Sequence, residues 1–151
     1  AGLPSVSPDG KWVAYVGGRD RRKPDVFLRS LTRDTTFQVT DTKQKETAVG
    51  WFPNGDLAWA TEATDGTKGY EVLRAALGST QRSVVATSAY PILAFAVSRD
   101  GGTIAYIAEE PNPGNKQQRT KTVLYLAALT PGSTPQAVAL PSTENVSSPA
   151  F

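Results

Sequence analysis

Histidine, cysteine and methionine do not occur in this chain of 151 residues. Without histidine there is no Ser-His-Asp or Cys-His pair and no imidazole base. Without cysteine or histidine there is no ordinary zinc, haem or iron–sulfur site and no disulfide framework. A cysteine-free chain suits reducing and oxidising compartments equally. Long apolar runs are missing too: none approaches the ~18 residues of a membrane span, and no signal-peptide pattern is seen at the start. Charge of one sign is scarce, since 16 basic and 14 acidic side chains leave a net +2. That surplus is too small and too evenly spread for a nucleic-acid surface. The missing initiator methionine leads us to expect a processed chain or a piece of a longer one.

What is present suffices for about one folded domain with a real core. The apolar share of 39%, with 13 glycines added, reaches the ordinary globular level. Self-similarity is the informative property. Three segments share an alanine followed by an aromatic: Val13-Ala14-Tyr15, Leu57-Ala58-Trp59 and Ile104-Ala105-Tyr106. The alanines stand 44 and then 47 residues apart. Each segment follows a turn: Ser7-Pro8-Asp9-Gly10, Phe52-Pro53-Asn54-Gly55 and Ser98-Arg99-Asp100-Gly101. Proline presets φ, Asp or Asn tolerates the third position, and Gly accepts the left-handed fourth. Such a turn joins antiparallel strands in a tight hairpin.

Further strands recur at matching places. A small apolar strand ends at Val6, Trp51 and Val97, just before each turn. A third strand is predicted over Asp25–Leu31, Tyr70–Leu77 and Thr122–Leu129, and a fourth over Phe37–Asp41, Ser83–Thr87 and Gln136–Leu140. Apolar residues fall on both faces of the second strand, as a sheet stacked between two neighbours requires. These segments are too short, and too rich in β-branched and aromatic residues, for helices. Four short strands every ~45 residues is the pattern of a β-propeller blade. The fold class is therefore all-β: three four-stranded antiparallel blades plus the first strand of a fourth. Repeat units are expected at 1–46, 47–91 and 92–146, with 147–151 opening the next. A two-sheet sandwich of about twelve strands would explain the strand count but not the evenly repeated turn. Trp12, Trp51 and Trp59 occupy repeat positions and are expected in the core.

Ser147-Ser148-Pro149-Ala150-Phe151 resembles a first strand whose turn is missing. Propellers close with four to eight blades. An open end of ~400 Å² would forgo about 10 kcal/mol of burial, comparable to the stability of a whole domain. We therefore expect this chain to be part of a larger protein.

Ser-Pro-Asp-Gly-Lys at 7–11, the Ala-aromatic strand, Asp25-Val26-Phe27-Leu28 and Gln38-Val39-Thr40-Asp41 resemble the TolB-type, WD40-like propeller repeat. The same repeat forms the N-terminal propeller of the prolyl oligopeptidase (S9) serine peptidases. Phe95-Ala96-Val97-Ser98-Arg99-Asp100-Gly101, followed by Ile104-Ala105-Tyr106-Ile107 and a polar insert, is similar to the acylaminoacyl-peptidase branch. The second unit departs from the pattern, with Phe52 and Asn54 and one residue fewer before Leu57. The resemblance implies a propeller that caps a separate α/β-hydrolase domain carrying the Ser, Asp and His, and that admits short peptides only. The parent would be a serine peptidase, and this segment non-catalytic. No catalytic residue, cofactor or metal is assigned within it.

Candidate contact residues follow. Arg19, Arg21 and Arg22 lie in the loop Gly17–Pro24 and could hold a carboxylate bidentately or face the hydrolase domain; a solvated hairpin loop is the plainer reading. Glu109 and Glu110, placed at the end of the third unit's second strand, parallel the glutamate pair by which S9 dipeptidyl peptidases bind a substrate's amino terminus. Their different context argues for coincidence. The Pro/Gly-rich insert Pro111–Lys121 reads as a mobile face loop. Asn145-Val146-Ser147 matches a glycosylation sequon.

The expected partners are the remaining blades, the hydrolase domain and the parent's short peptide substrates, with no nucleic acid and no membrane. The chain is expected to be soluble, and its compartment stays open, with the cytoplasm favoured. The alternative is a TolB-like module that binds another protein without chemistry; a third reading closes the ring by self-association.

Overall fold

Each of the three repeated turns closes a hairpin in the computed structural model, which describes residues 2–20, 22–130, 132 and 134–138. The amide of Gly10 donates to the Ser7 carbonyl at 2.9 Å, Gly55 to Phe52 at 3.0 Å and Gly101 to Ser98 at 2.9 Å. The glycines take φ of 70°, 92° and 72°, the left-handed conformation the turn demands. In the first turn the Ser7 hydroxyl donates to Asp9 at 2.6 Å and accepts from the Trp12 amide at 3.0 Å. Ser98, Asp100 and Thr103 repeat this arrangement at 2.6 and 3.0 Å. The serine hydroxyl and then the Lys11 amide hold the Asp9 carboxyl below its usual range; Ser98 and the Gly102 amide do the same for Asp100. In the second turn Phe52 replaces the serine. It is buried under the Arg74 guanidinium, 3.8 Å from the ring centroid, while Arg74 pairs with Asp56 at 2.7 Å.

These hairpins build three four-stranded antiparallel sheets, and the described residues include no helix. The first holds β1 (Ser5–Val6), β2 (Trp12–Gly17), β3 (Asp25–Ser30) and β4 (Thr36–Gln38) in that order. The second holds β5 (Glu46–Trp51), β6 (Leu57–Glu62), β7 (Tyr70–Ala75) and β8 (Ser83–Ser88). The third holds β9 (Ile92–Val97), β10 (Thr103–Pro111), β11 (Thr120–Ala128) and β12 (Gln136–Val138). Within each sheet every strand pairs with its neighbours in sequence, as in a propeller blade.

The core lies between the blades. Ala14, Val16, Val26 and Leu28 of blade 1 meet Val49, Leu57, Trp59 and Leu73 of blade 2. On the other side of blade 2, Ala58, Ala60 and Val72 meet Ile92, Phe95, Ile104 and Tyr106 of blade 3. Alternation along each strand explains both faces being apolar, since successive side chains of β6 serve opposite interfaces. Polar contacts also cross the seams, among them Trp51 Nε1 to the Ser5 carbonyl at 3.0 Å, Arg82 to the Val39 carbonyl at 3.3 Å, the Tyr106 hydroxyl to the Thr87 carbonyl at 3.4 Å, and the Thr47 hydroxyl to the Ile92 carbonyl at 2.6 Å. The last depends on a bulge between Glu46 and Ala48, which re-aims Thr47 toward blade 3. Gly50 allows blades 2 and 3 to approach closely: a Cβ there would stand 2.8 Å from Cε2 of Phe95.

Several expectations are adjusted. Third strands stop earlier on blades 1 and 2, at Ser30 and Ala75, and β4 covers Thr36–Gln38 rather than Phe37–Asp41. The amides of Val39 and Thr40 both turn back onto the Val26 carbonyl, which ends the ladder. The insert Pro111–Lys121 is largely strand at its flanks. Pro111 pairs with Thr120 and Glu110 with Lys121, so only residues 112–119 form the loop. Glu109 and Glu110 consequently lie within β10. Trp59 is buried as expected, whereas Trp12 and Trp51 are half-buried at the rim of the first interface, Trp12 against Phe37 at 5.8 Å. The sequon at Asn145, the expected end of the fourth strand at Ala139–Leu140 and the segment Ser147–Phe151 lie outside the described residues.

Candidate functional site

Antiparallel order puts the three Gly turns at one end of the blades and the starts of β1, β5 and β9 at the other. Between those starts a cavity of about 580 Å³ opens. Gly2, Lys45, Glu46, Thr47 and Leu93 line its axial side. The opposite wall is the end of β2 and the loop after it, with Val16, Gly17, Gly18, Asp20 and Pro24. The first strands of a propeller surround its axis, so this is the mouth of the channel. Gly2 must be glycine here, because a Cβ would stand 2.6 Å from the Thr47 carbonyl oxygen.

Glu46 is the unusual residue of the mouth. Only 2% exposed, it nonetheless lines the cavity. The Thr42 hydroxyl donates to Oε1 at 3.0 Å, while Oε2 has no hydrogen-bond partner among the described residues. Directly across the ladder stands Thr61, 2% exposed, whose hydroxyl is likewise unpartnered. Burial pushes the Glu46 carboxyl up, against the Thr42 hydrogen bond, and the nearby Asp25 charge pushes it further. Asp25 is itself held by the Thr40 hydroxyl at 3.1 Å and the Gln38 amide at 3.2 Å. The arrangement can accept hydrogen bonds and hold positive charge in a setting partly shielded from water.

The residues singled out from the sequence are distributed differently. The loop Gly17–Pro24 does form a wall of the mouth, through Gly17, Gly18, Asp20 and Pro24. Arg19 and Arg22 of that loop are exposed and do not line the cavity, and Arg21 lies outside the described residues. The Arg22 amide donates to the Asp20 carboxylate at 2.9 Å, an ordinary turn contact. Glu109 and Glu110 belong to blade 3 and do not line the cavity. The Tyr125 hydroxyl donates to Glu110, and Tyr125 stacks on Tyr106 at 5.2 Å. Both phenols are pushed up to about 12, Tyr125 chiefly by that hydrogen bond and Tyr106 chiefly by burial.

Sequence reasoning passed over Glu46, although the repeat carries a signal for it. Counting back from the turns, Glu46 stands where the third unit has Ile92, and Thr61 where it has Ala108. A carboxylate and a hydroxyl occupy the positions of an apolar pair.

Stacked four-stranded blades with an axial mouth define the class: this is a β-propeller module. The chain belongs to the lipoprotein LpqB β-propeller domain family, whose model matches residues 1–148. It is similar to the Tol-Pal system protein TolB of Alcanivorax borkumensis, 30% identical over 63 residues, which cover 42% of this chain and 14% of that protein. Among solved structures it resembles a putative TolB from Agrobacterium tumefaciens, with a TM-score of 0.70, 17% identity and coverage of 90% of this chain and 49% of that one. TolB from Acinetobacter baumannii matches with a TM-score of 0.64 and 16% identity, over 90% of this chain and 31% of that one. The chain thus spans half or less of each of these proteins. Among the described residues no helix is long and apolar enough to cross a membrane.

Proposed function

We propose that this chain is the non-catalytic propeller portion of a larger protein, whose axial mouth receives or screens peptide segments. The observation that carries the reading is the cavity among the starts of the first strands, with a buried acid in its lining. A rigid stack of sheets leaves the mouth as the place where a flexible chain can enter. The remaining blades are the first partners in this reading. On blade 1 the stacked pair Tyr15–Phe27, 5.6 Å apart, lies on the face turned away from blade 2. Leu126, on the corresponding far face of blade 3, is 39% exposed. Faces of this kind are what further blades bury.

The finer version places a separate α/β-hydrolase domain in the same protein and makes the propeller its access filter. It rests on the likeness to the S9 repeat, and a structural match to the tricorn protease, at 16% identity and a TM-score of 0.55 over 88% of this chain and 12% of that one, is compatible with it. The second version is a TolB-like docking module without chemistry, favoured by the lipoprotein-linked family and the curated TolB relative. That version also suggests a membrane-associated compartment in place of the cytoplasm, which fractionation of the source cells tests. The chain's continuation past Phe151 separates the two. A Gly-x-Ser-x-Gly elbow followed by Asp and His supports the filter; further blades with no such elbow sink it. The isolated chain should not hydrolyse an acylated amino-acid ester, and turnover that survives purification contradicts a non-catalytic role.

A further inference from the structure

We infer that the axial mouth is a binding site for a basic side chain, lysine or arginine, of a peptide segment, with Glu46 as its counter-ion. This rests on the reading of the mouth as the entrance for peptides, and goes on to name the chemistry it selects.

Three observations carry it. First, Glu46 contributes to the lining although it is nearly fully buried and its free Oε2 exposes almost no surface, so a cation in the cavity engages it once the side chain turns toward the mouth. Its Oε2 lacks a partner among the described residues, as does the Thr61 hydroxyl opposite. A buried carboxylate with a free oxygen is costly to keep unless something completes it. An N–H-bearing cation supplies both the charge and the donor.

Second, the same place in blade 3 needs no such partner. Ile92 and Ala108 pair there beside the same kind of bulge, and both are fully buried in the second core. The fold therefore does not require polar residues at this position. Blade 2 carries them where the cavity lies.

Third, the surroundings favour a cation on a flexible stem. Among the described residues, Asp20 lines the wall and Asp25 lies near enough to act on Glu46, against one lining cation, Lys45. No group of three or more His, Cys, Asp or Glu among the described residues could hold a metal ion, so the donor set suits an ammonium or guanidinium instead. Gly2, Gly17 and Gly18 keep side chains off the walls, leaving room for a peptide backbone above the acid.

The test uses the 151-residue chain and the blocked tripeptides Ac-Gly-Lys-Gly-NH2, Ac-Gly-Arg-Gly-NH2 and Ac-Gly-Gln-Gly-NH2, followed by amide chemical shifts of Gly17, Gly18, Glu46 and Thr47. The basic peptides should bind about tenfold more tightly than the glutamine peptide, the size of one charge-assisted hydrogen bond. Whichever of the two basic peptides binds better identifies the preferred cation. Glu46→Gln should bring all three within about twofold. The double change Glu46→Ile with Thr61→Ala installs the apolar pair of blade 3, and gives the same readout should Glu46→Gln not fold. Equal binding of all three peptides by the unchanged chain overturns the counter-ion role while leaving the mouth as a peptide entrance. No shift at these amides with any peptide overturns both. A preference for basic peptides that survives Glu46→Gln assigns the selectivity elsewhere and also refutes the proposal.

Discussion

Blades 2 and 3 have the same strand order, the same Gly turn and a bulge near the start of the first strand, but they fill one cross-strand position with opposite chemistry. In blade 3 Ile92 lies against Ala108, both at 0% exposure. In blade 2 Glu46 lies against Thr61, each 2% exposed and each with an unpartnered oxygen. Since the backbone accommodates both, the repeat itself is indifferent to what stands there. Burial alone stabilises the apolar pair, whereas the polar pair faces desolvation that the described contacts only half offset. A departure from the repeat at a buried position is therefore a better pointer to a site than charge in a loop. The exposed arginines Arg19 and Arg22 illustrate the converse.

This comparison can be broken most forcefully by moving the acid. Ile92→Glu places a carboxylate in the second core, against Ala108, and should cost about 3–5 kcal/mol. Urea unfolding checks it; a loss under about 1 kcal/mol would mean that blade 3 tolerates the acid as well as blade 2 does. Next in size is Gly50→Ala, which sets a Cβ 2.8 Å from the Phe95 ring at the seam between the two blades. Overpacking there should cost roughly 1–3 kcal/mol, read as a lower urea midpoint at an unchanged slope.

The repeated turn offers a smaller test. Ser7→Ala and Ser98→Ala each delete a hydroxyl that accepts a backbone amide at 3.0 Å, and each should cost about 1 kcal/mol. Losses that differ several-fold would show that the two turns are alike in geometry only. The finest test is of pH. The Glu46 carboxyl is raised on folding, so the native state holds its proton more tightly than the unfolded chain. This residue's contribution to stability is most favourable below the ordinary glutamate range and declines as pH rises through the raised one. Glu46→Gln should flatten that decline and raise the melting temperature at pH 7 more than at pH 4. A larger gain at pH 4 would reverse the assigned sign.

Much of the architecture was legible in the sequence because hairpin chemistry is local. Pro-Asp-Gly and its variants need only their own residues to make the turn, and period-two alternation marks strands without reference to the rest of the chain. The extension of β10 and β11 into the insert was not legible. Glu110, Thr120 and Lys121 are polar, and the segment gains strand structure only from cross-strand pairing, Glu110 with Lys121 and Pro111 with Thr120. The half-exposure of Trp12 and Trp51 was hidden for a related reason, since repeat position does not say how far an interface extends. The loop Gly17–Pro24 lines the mouth through Gly17, Gly18, Asp20 and Pro24, whereas Arg19 and Arg22 do not line it, which the sequence alone does not reveal.

The sequence by itself determined the blade: four strands, their order and the turns that join them, because those depend on contacts between chain neighbours. Only the tertiary structure decided what the stacking of blades encloses. Glu46, Thr42 and Thr61 are ordinary polar residues along the chain. They become a buried, incompletely partnered acid at an axial cavity because the start of β5 is packed between two other blades. Burial and the surroundings of a charge are properties of that packing, and they set the chemistry of this site.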